Sequence, residues 1–162
     1  MLNTEFIEGV KALIGTPYSK CDCKDVIAKP LCIRFAGTNW LWRSINNSSK
    51  YRYLVERAQT SLLPSDIKRG DILFKIRDGI PNGYSDSPDA YHVAVYIGDG
   101  KIVHSSPKTG VREDDYVFGA WQGWGRMKQV EYTDESKKYD PDLSDHEMIK
   151  AIYEKICLKE AD

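Results

Sequence analysis

The sequence predicts an α+β domain in which helices come first and an antiparallel sheet follows. Apolar residues recur at helical spacing through the N-terminal part of the chain, and from Gly70 onward the period drops to two, in runs separated by Gly- and Asp-rich turns. One pair of those runs, YHVAVYIGDGKIVHSS, is joined by so short a turn that its strands must be antiparallel neighbours.

The elements follow in order. TEFIEGVKALIG sets Phe6, Ile7, Val10, Leu13 and Ile14 on one helical stripe, with Thr4 as N-cap and Gly15 as the stop. KDVIAKPLCIRFAG also fits a helix, which Pro30 must break or kink because it removes a backbone donor. NWLWRSI and YRYLVERAQ fit helices with weaker periodicity. DILFKI, YHVAVYIG, KIVHSS and GRMKQVEY fit strands. Residues 77–90, RDGIPNGYSDSPDA, form a long connection of turn residues between the first two strands, and a loop of that length is expected to wall or cover a groove, with Tyr84 as its large aromatic. The expected organisation is a folded domain over residues 1–132, a polar linker over 133–143, and a C-terminal helix over 144–162. In that helix Ser144 and Glu147 form a capping box, and Met148, Ile149, Ile152, Ile156 and Cys157 share a face.

Size and charge narrow the function. A chain of 162 residues can bury a real core as one domain. Its 23 basic and 24 acidic residues nearly cancel, so no broad electrostatic footprint for nucleic acid or an anionic membrane is expected. No apolar run approaches the ~20 residues that span a bilayer. The opening MLNTEFIEGVKALIG lacks a basic region followed by an apolar one, so synthesis in the cytoplasm without a signal peptide is expected. Four cysteines in such a context are expected to be free thiols, with Cys32 and Cys157 in the core.

Parity in the hairpin places two histidines together. If Gly98-Asp99-Gly100 is a three-residue loop, Ile97 faces Lys101 and Ala94 faces His104. Val93, Val95, Ile97 and Val103 then make an apolar face, while His92 and His104 meet on the other as diagonal neighbours, roughly 7–8 Å apart at the backbone. Three readings of this pair stay open: structural strand histidines, zinc ligands together with Cys21 and Cys23, or the base of a nucleophilic thiol. Cys-x-Cys does not match the usual zinc ligand gap. For the third reading, a cysteine at a helix start beside an imidazole, itself held by a second polar group, is the arrangement that thiol catalysis needs.

The ordered set LIGTPYSKCDCKD, IKRGDILF and YHVAVYIGDGKIVHSS resembles the NlpC-type (NlpC/P-sixty) peptidases, papain-like cysteine enzymes that cut peptidoglycan stem peptides. Gly-Thr-Pro-Tyr, an Asp-Cys pair, a Gly-Asp before the first strand, and two histidines twelve residues apart occur in the family's order. PYSK, NWLWR and the long GY loop are similar to the branch found in phages and prophages of Gram-positive bacteria.

The resemblance implies a papain-like fold, with N-terminal helices packed on a central antiparallel sheet. It implies Cys23 as nucleophile, His92 as general base and His104 as the group that orients His92, with Tyr18 near the oxyanion and Asp22 near the substrate's N-terminal side. Cys21 is expected to be a passive thiol. Peptidoglycan stem peptides are the implied substrate, with hydrolysis between D-glutamate and the diamino acid and no metal or other cofactor. The implied place of action is the cell wall, from a phage particle or at lysis. An amidase or acyltransferase on another acyl compound, and a non-catalytic wall-binding phage module, remain alternatives. Lys24 and Asp25 depart from the family's usual Ser-Gly after Asp-Cys.

Overall fold

The computed structural model describes residues 1–44, 54–58 and 67–133. Helices α1 (Asn3–Lys11), α2 (Asp25–Leu31) and α3 (Thr38–Arg43) precede β1 (Leu54–Ala58), β2 (Ile72–Arg77), β3 (Asp89–Gly98), β4 (Lys101–Ser106), β5 (Gly110–Asp115) and β6 (Gly123–Met127). The strands form one antiparallel sheet in the order β1-β6-β2-β3-β4-β5. The predicted α+β class, helices on an antiparallel sheet, is the class observed.

Strand alternation divides the sheet's side chains between two cores. Ile72, Phe74, Val93, Val95, Ile97 and Val103 pack with Phe6 and Val10 of α1, Val26 and Ile27 of α2, and Leu41 and Trp42 of α3. The Trp42 and Phe74 rings lie 4.9 Å apart, both fully buried, and each such burial contributes about 3 kcal/mol to holding α3 on β2. Leu73, Ala94, Ile102, Ile67 and Trp121 form a smaller cluster, flanked by Tyr96, Tyr116 and Trp124.

The hairpin keeps the expected register through a different turn. Val95 pairs with Val103 and Tyr96 with Ile102, as parity requires, but Gly98 pairs with Lys101. The loop is therefore the two residues Asp99 and Gly100, at φ 55° and 70°, a type I′ geometry whose twist matches the strands. A register shift between Tyr96 and Gly98 absorbs the extra residue, so the face parity survives.

Other expectations need correction. Thr4 lies inside α1 rather than capping it, and its N–H donates to Asn3 Oδ1 at 3.0 Å. The helix ends at Lys11, so Ile14 leaves the apolar stripe and is 44% exposed. Pro30 lies inside α2, withholding the N–H that would bond the Val26 carbonyl, and the helix stops one residue later at a left-handed Cys32, which is exposed rather than in the core. Residues 54–58, expected to be helical, are a strand, because pairing with β6 outweighs a weak local preference. Strand β5 was not expected. It is an edge strand, GVREDD, whose mostly charged side chains show no apolar alternation. Strand β6 ends at Met127, short of the predicted 125–132. The linker from residue 134 onward and the predicted helix 144–162, with Cys157, lie outside the described residues.

Candidate active site

The Cys21-Asp22-Cys23 turn is fixed from both sides. Gly15 N–H donates to Val111 C=O and Val111 N–H to Thr16 C=O, each at 2.9 Å, which laces the Gly-Thr-Pro-Tyr segment onto β5. Gly110, at φ 66°, abuts the Thr16 carbonyl so closely that a side chain could not fit. Ser105 Oγ, buried on β4, donates to the Cys21 carbonyl at 2.6 Å. On the other side, Asp25 N–H donates to Asp22 Oδ1 at 3.1 Å and Asp22 N–H to Asp25 Oδ2 at 3.2 Å, a reciprocal cap that leads into α2. The remaining Asp22 oxygen accepts from Lys24 Nζ at 2.6 Å. Asp22 is thus engaged inside the turn, and a substrate amine would have to displace Lys24.

Cys21 and Cys23 sit differently in the turn. Cys21 is fully buried, and burial pushes its thiol pKa up. Cys23 is half-buried in the turn before α2 rather than in the helix itself. Its Sγ lies 3.6 Å from Thr38 Oγ1 and within reach of the Val93 backbone on β3, next to His92. Burial pushes the Cys23 thiol up, and the Thr38 hydrogen bond opposes this only in part. The expected helix-start stabilisation of a thiolate is therefore not the governing effect here. Tyr18 shares this neighbourhood: its phenol is pushed up by burial, then by the charges of Cys23 and Asp22.

The histidines form a relay. His92 Nε2 and His104 Nδ1 lie 2.9 Å apart, and His104 Nε2 lies 2.6 Å from Asp114 Oδ2. Arg112 Nε donates to the same Asp114 oxygen at 2.6 Å. Trp121 stacks on His92 at 5.7 Å and 25°. Lys75, opposite His92 in the β2–β3 register, places its Nζ 5.1 Å above the Trp121 ring. Burial, then the charges of His104 and Lys75, push the His92 pKa down to about 4, so this imidazole is neutral at neutral pH.

Four members of this neighbourhood, Asp114, Trp121, Lys75 and Thr38, were not anticipated. Asp114 follows from β5, which local periodicity does not show. His104 pairs with Arg112, so Asp114, two residues further along β5, falls on the same face. Asp71, the aspartate of the Gly-Asp motif, is fully buried and accepts from Lys68 N–H at 2.7 Å and from Arg126 Nε at 3.1 Å. Its burial outweighs those partners and raises its pKa to about 6.

The long loop is tied to α3. Arg43 donates to Asp86 Oδ1 at 2.5 Å and to the Asp86 and Pro88 carbonyls at 2.9 and 2.8 Å, and its guanidinium lies 4.5 Å over the Tyr84 ring. Asp78 and Pro88, at the loop's two ends, line a cavity of about 390 Å³ with Trp42, Ile76, Arg77 and Gln122. Among the described residues, no group of three or more His, Cys, Asp or Glu side chains is arranged to hold a metal ion, and no helix is long and apolar enough to cross a membrane.

Comparison with known proteins matches residues 34–129 to the NlpC/P60 family, a span that takes in both histidines and Asp114 and begins after Cys23. The chain is 32% identical over 108 residues to the gamma-DL-glutamyl hydrolase of Bacillus subtilis (strain 168), an alignment covering 60% of this chain and 23% of that protein. It thus spans about a quarter of the length of this curated relative. Among solved structures, the NlpC/p60 domain of the peptidoglycan hydrolase SagA aligns with 23% identity and a TM-score of 0.47, covering 78% of this chain and all of that domain. An NlpC/P60 family protein from Bacillus cereus ATCC 10987 aligns with 20% identity and a TM-score of 0.46, covering 78% of this chain and 40% of the other.

Proposed function

The chain belongs to the NlpC/P60 family of cysteine peptidases and peptidoglycan hydrolases, and on that premise we propose that it hydrolyses stem-peptide amides between D-glutamate and the following diamino acid. The observation that carries this reading is a half-buried thiol, Cys23, brought to the Val93 backbone of β3, one residue along from His92 and its relay to His104 and Asp114. The name of the Bacillus relative, a gamma-DL-glutamyl hydrolase, supports a γ-linked glutamyl amide as the bond cut.

In this reading His92 takes the Cys23 proton as Sγ attacks the glutamyl carbonyl carbon. Such general-base assistance contributes ~10²–10⁴-fold in rate. The Cys23 backbone N–H and the Tyr18 hydroxyl stabilise the oxyanion. Collapse of the tetrahedral intermediate breaks the C–N bond, and His92 returns the proton to the leaving amine. Water, deprotonated by the same imidazole, then hydrolyses the thioester. Action on the wall, and the phage or prophage origin that PYSK and NWLWR resemble, belong to the same proposal.

The test is to incubate the protein with defined muropeptides and weigh the products. Release of a peptide beginning with the diamino acid, leaving a terminal D-glutamate, is expected. Cleavage solely at another bond, or acyl transfer to added amines without hydrolysis, would overturn the reading.

A further inference from the structure

The geometry points to Asp114 as the residue that sets the proton positions on both histidines and so leaves Nδ1 of His92 free as the base. This deepens the functional proposal above and rests on its assignment of His92.

The argument is one of donors and acceptors. Asp114 is held ionised: burial works to raise its pKa, but the hydrogen bonds from His104 and Arg112 outweigh it and lower it. An ionised carboxylate only accepts. With 2.6 Å between them, His104 Nε2 must therefore carry a proton toward Asp114 Oδ2. When that is the ring's single proton, Nδ1 of His104 is bare and accepts. The 2.9 Å contact then requires His92 Nε2 to donate. A neutral His92 with its proton on Nε2 has its lone pair on Nδ1, the nitrogen that His104 does not occupy and the one left to act on Cys23.

Without the carboxylate, the opposite chain is equally well bonded: His104 donates from Nδ1, His92 accepts at Nε2, and the His92 proton moves to Nδ1, where it blocks proton uptake. Asp114 thus acts through His104 as a positioning residue. When His92 takes the thiol proton on Nδ1, the imidazolium charge is also felt by Asp114 across the relay. Arg112, which donates to the same carboxylate oxygen at 2.6 Å, keeps that carboxylate ionised and aimed.

The test combines nitrogen-15 NMR of histidine-labelled resting protein with steady-state kinetics on a γ-D-glutamyl peptide. In the parent, both His92 and His104 should show the Nε2–H tautomer. Asp114→Asn can turn an amide N–H toward His104 Nε2 and should invert both, with kcat falling by about a hundredfold or more while KM holds, in the manner of other wrong-tautomer variants. Asp114→Glu should restore the parent tautomers and part of kcat. Parent-like tautomers in Asp114→Asn would overturn the proposal. So would inverted tautomers with an unchanged kcat. The tautomers are read without substrate, so a parent protein that hydrolyses nothing would sink the functional reading and leave this assignment decided on its own.

Discussion

The resting state of the Cys23–His92 pair can be worked out from the structure. The Cys23 thiol sits above its ordinary 9.0 and His92 sits at about 4, each displaced chiefly by burial. Moving the proton from sulfur to imidazole therefore runs against at least five powers of ten, about 7 kcal/mol at ~1.4 kcal/mol per tenfold change. Even for ions in contact near a protein surface, attraction between the resulting charges returns no more than about 4 kcal/mol. The thiolate–imidazolium form is then at most about one molecule in a hundred, and the two groups rest as a neutral thiol and a neutral imidazole. The perturbation is pH, and the assay is the rate of iodoacetamide addition to Cys23, located by peptide mass mapping. The rate at pH 6 should be at most about a hundredth of the rate at pH 10, where thiolate forms by direct ionisation. A neutral-pH plateau within about tenfold of the alkaline limit would show a preformed ion pair and refute this reasoning.

Two further predictions concern the scaffold. His92 and Asp71 drive stability in opposite directions over one pH window. A His pKa lowered from 6.5 to about 4 removes up to ~3 kcal/mol as pH falls through that range, whereas an Asp pKa raised from 3.8 to about 6 removes a similar amount as pH rises. Urea unfolding of the parent should thus change little between pH 4 and 6, while Asp71→Asn should lose stability steeply on acidification; parallel profiles would contradict the assignment. Arg43→Ala removes the contacts to Asp86, Pro88 and Tyr84, so amide exchange across residues 79–88 should accelerate at least tenfold, with Cys23 alkylation unchanged. Unchanged exchange would mean that other contacts hold the loop.

The parts of the fold and site that were legible in the sequence are those written as local periodicity. The histidine hairpin could be placed because a valine stripe on one face leaves one parity for His92 and His104, and even a wrong turn type did not disturb it, since the bulge restored the count. Strands β1 and β5 were not legible. LVERA becomes a strand only because β6 offers it a ladder, and GVREDD sits at an edge where alternation is not needed. Missing β5 also hid Asp114, whose role depends on standing two residues beyond the partner of His104. Motif order singles out Cys23 as a nucleophile candidate but carries no information on its electrostatics. The helix begins at Asp25, and burial raises the thiol pKa by more than the hydrogen bonds to Thr38, Lys24 and Val93 lower it. Burial of that kind is a tertiary property, absent from any local pattern.

The central claim is that Cys23 is the nucleophile of a γ-D-glutamyl amide hydrolase and that Cys21, two residues away, is not. The most direct measurement is release of the diamino-acid product from one defined muropeptide by the parent, Cys23→Ala and Cys21→Ala proteins, each first shown to be folded. The account predicts activity in the parent, none detectable in Cys23→Ala, and most of the parent rate in Cys21→Ala, because the Cys21 side chain is buried and its backbone carbonyl makes the bond to Ser105. Parent-level hydrolysis by Cys23→Ala, or equal loss in both variants, would contradict it.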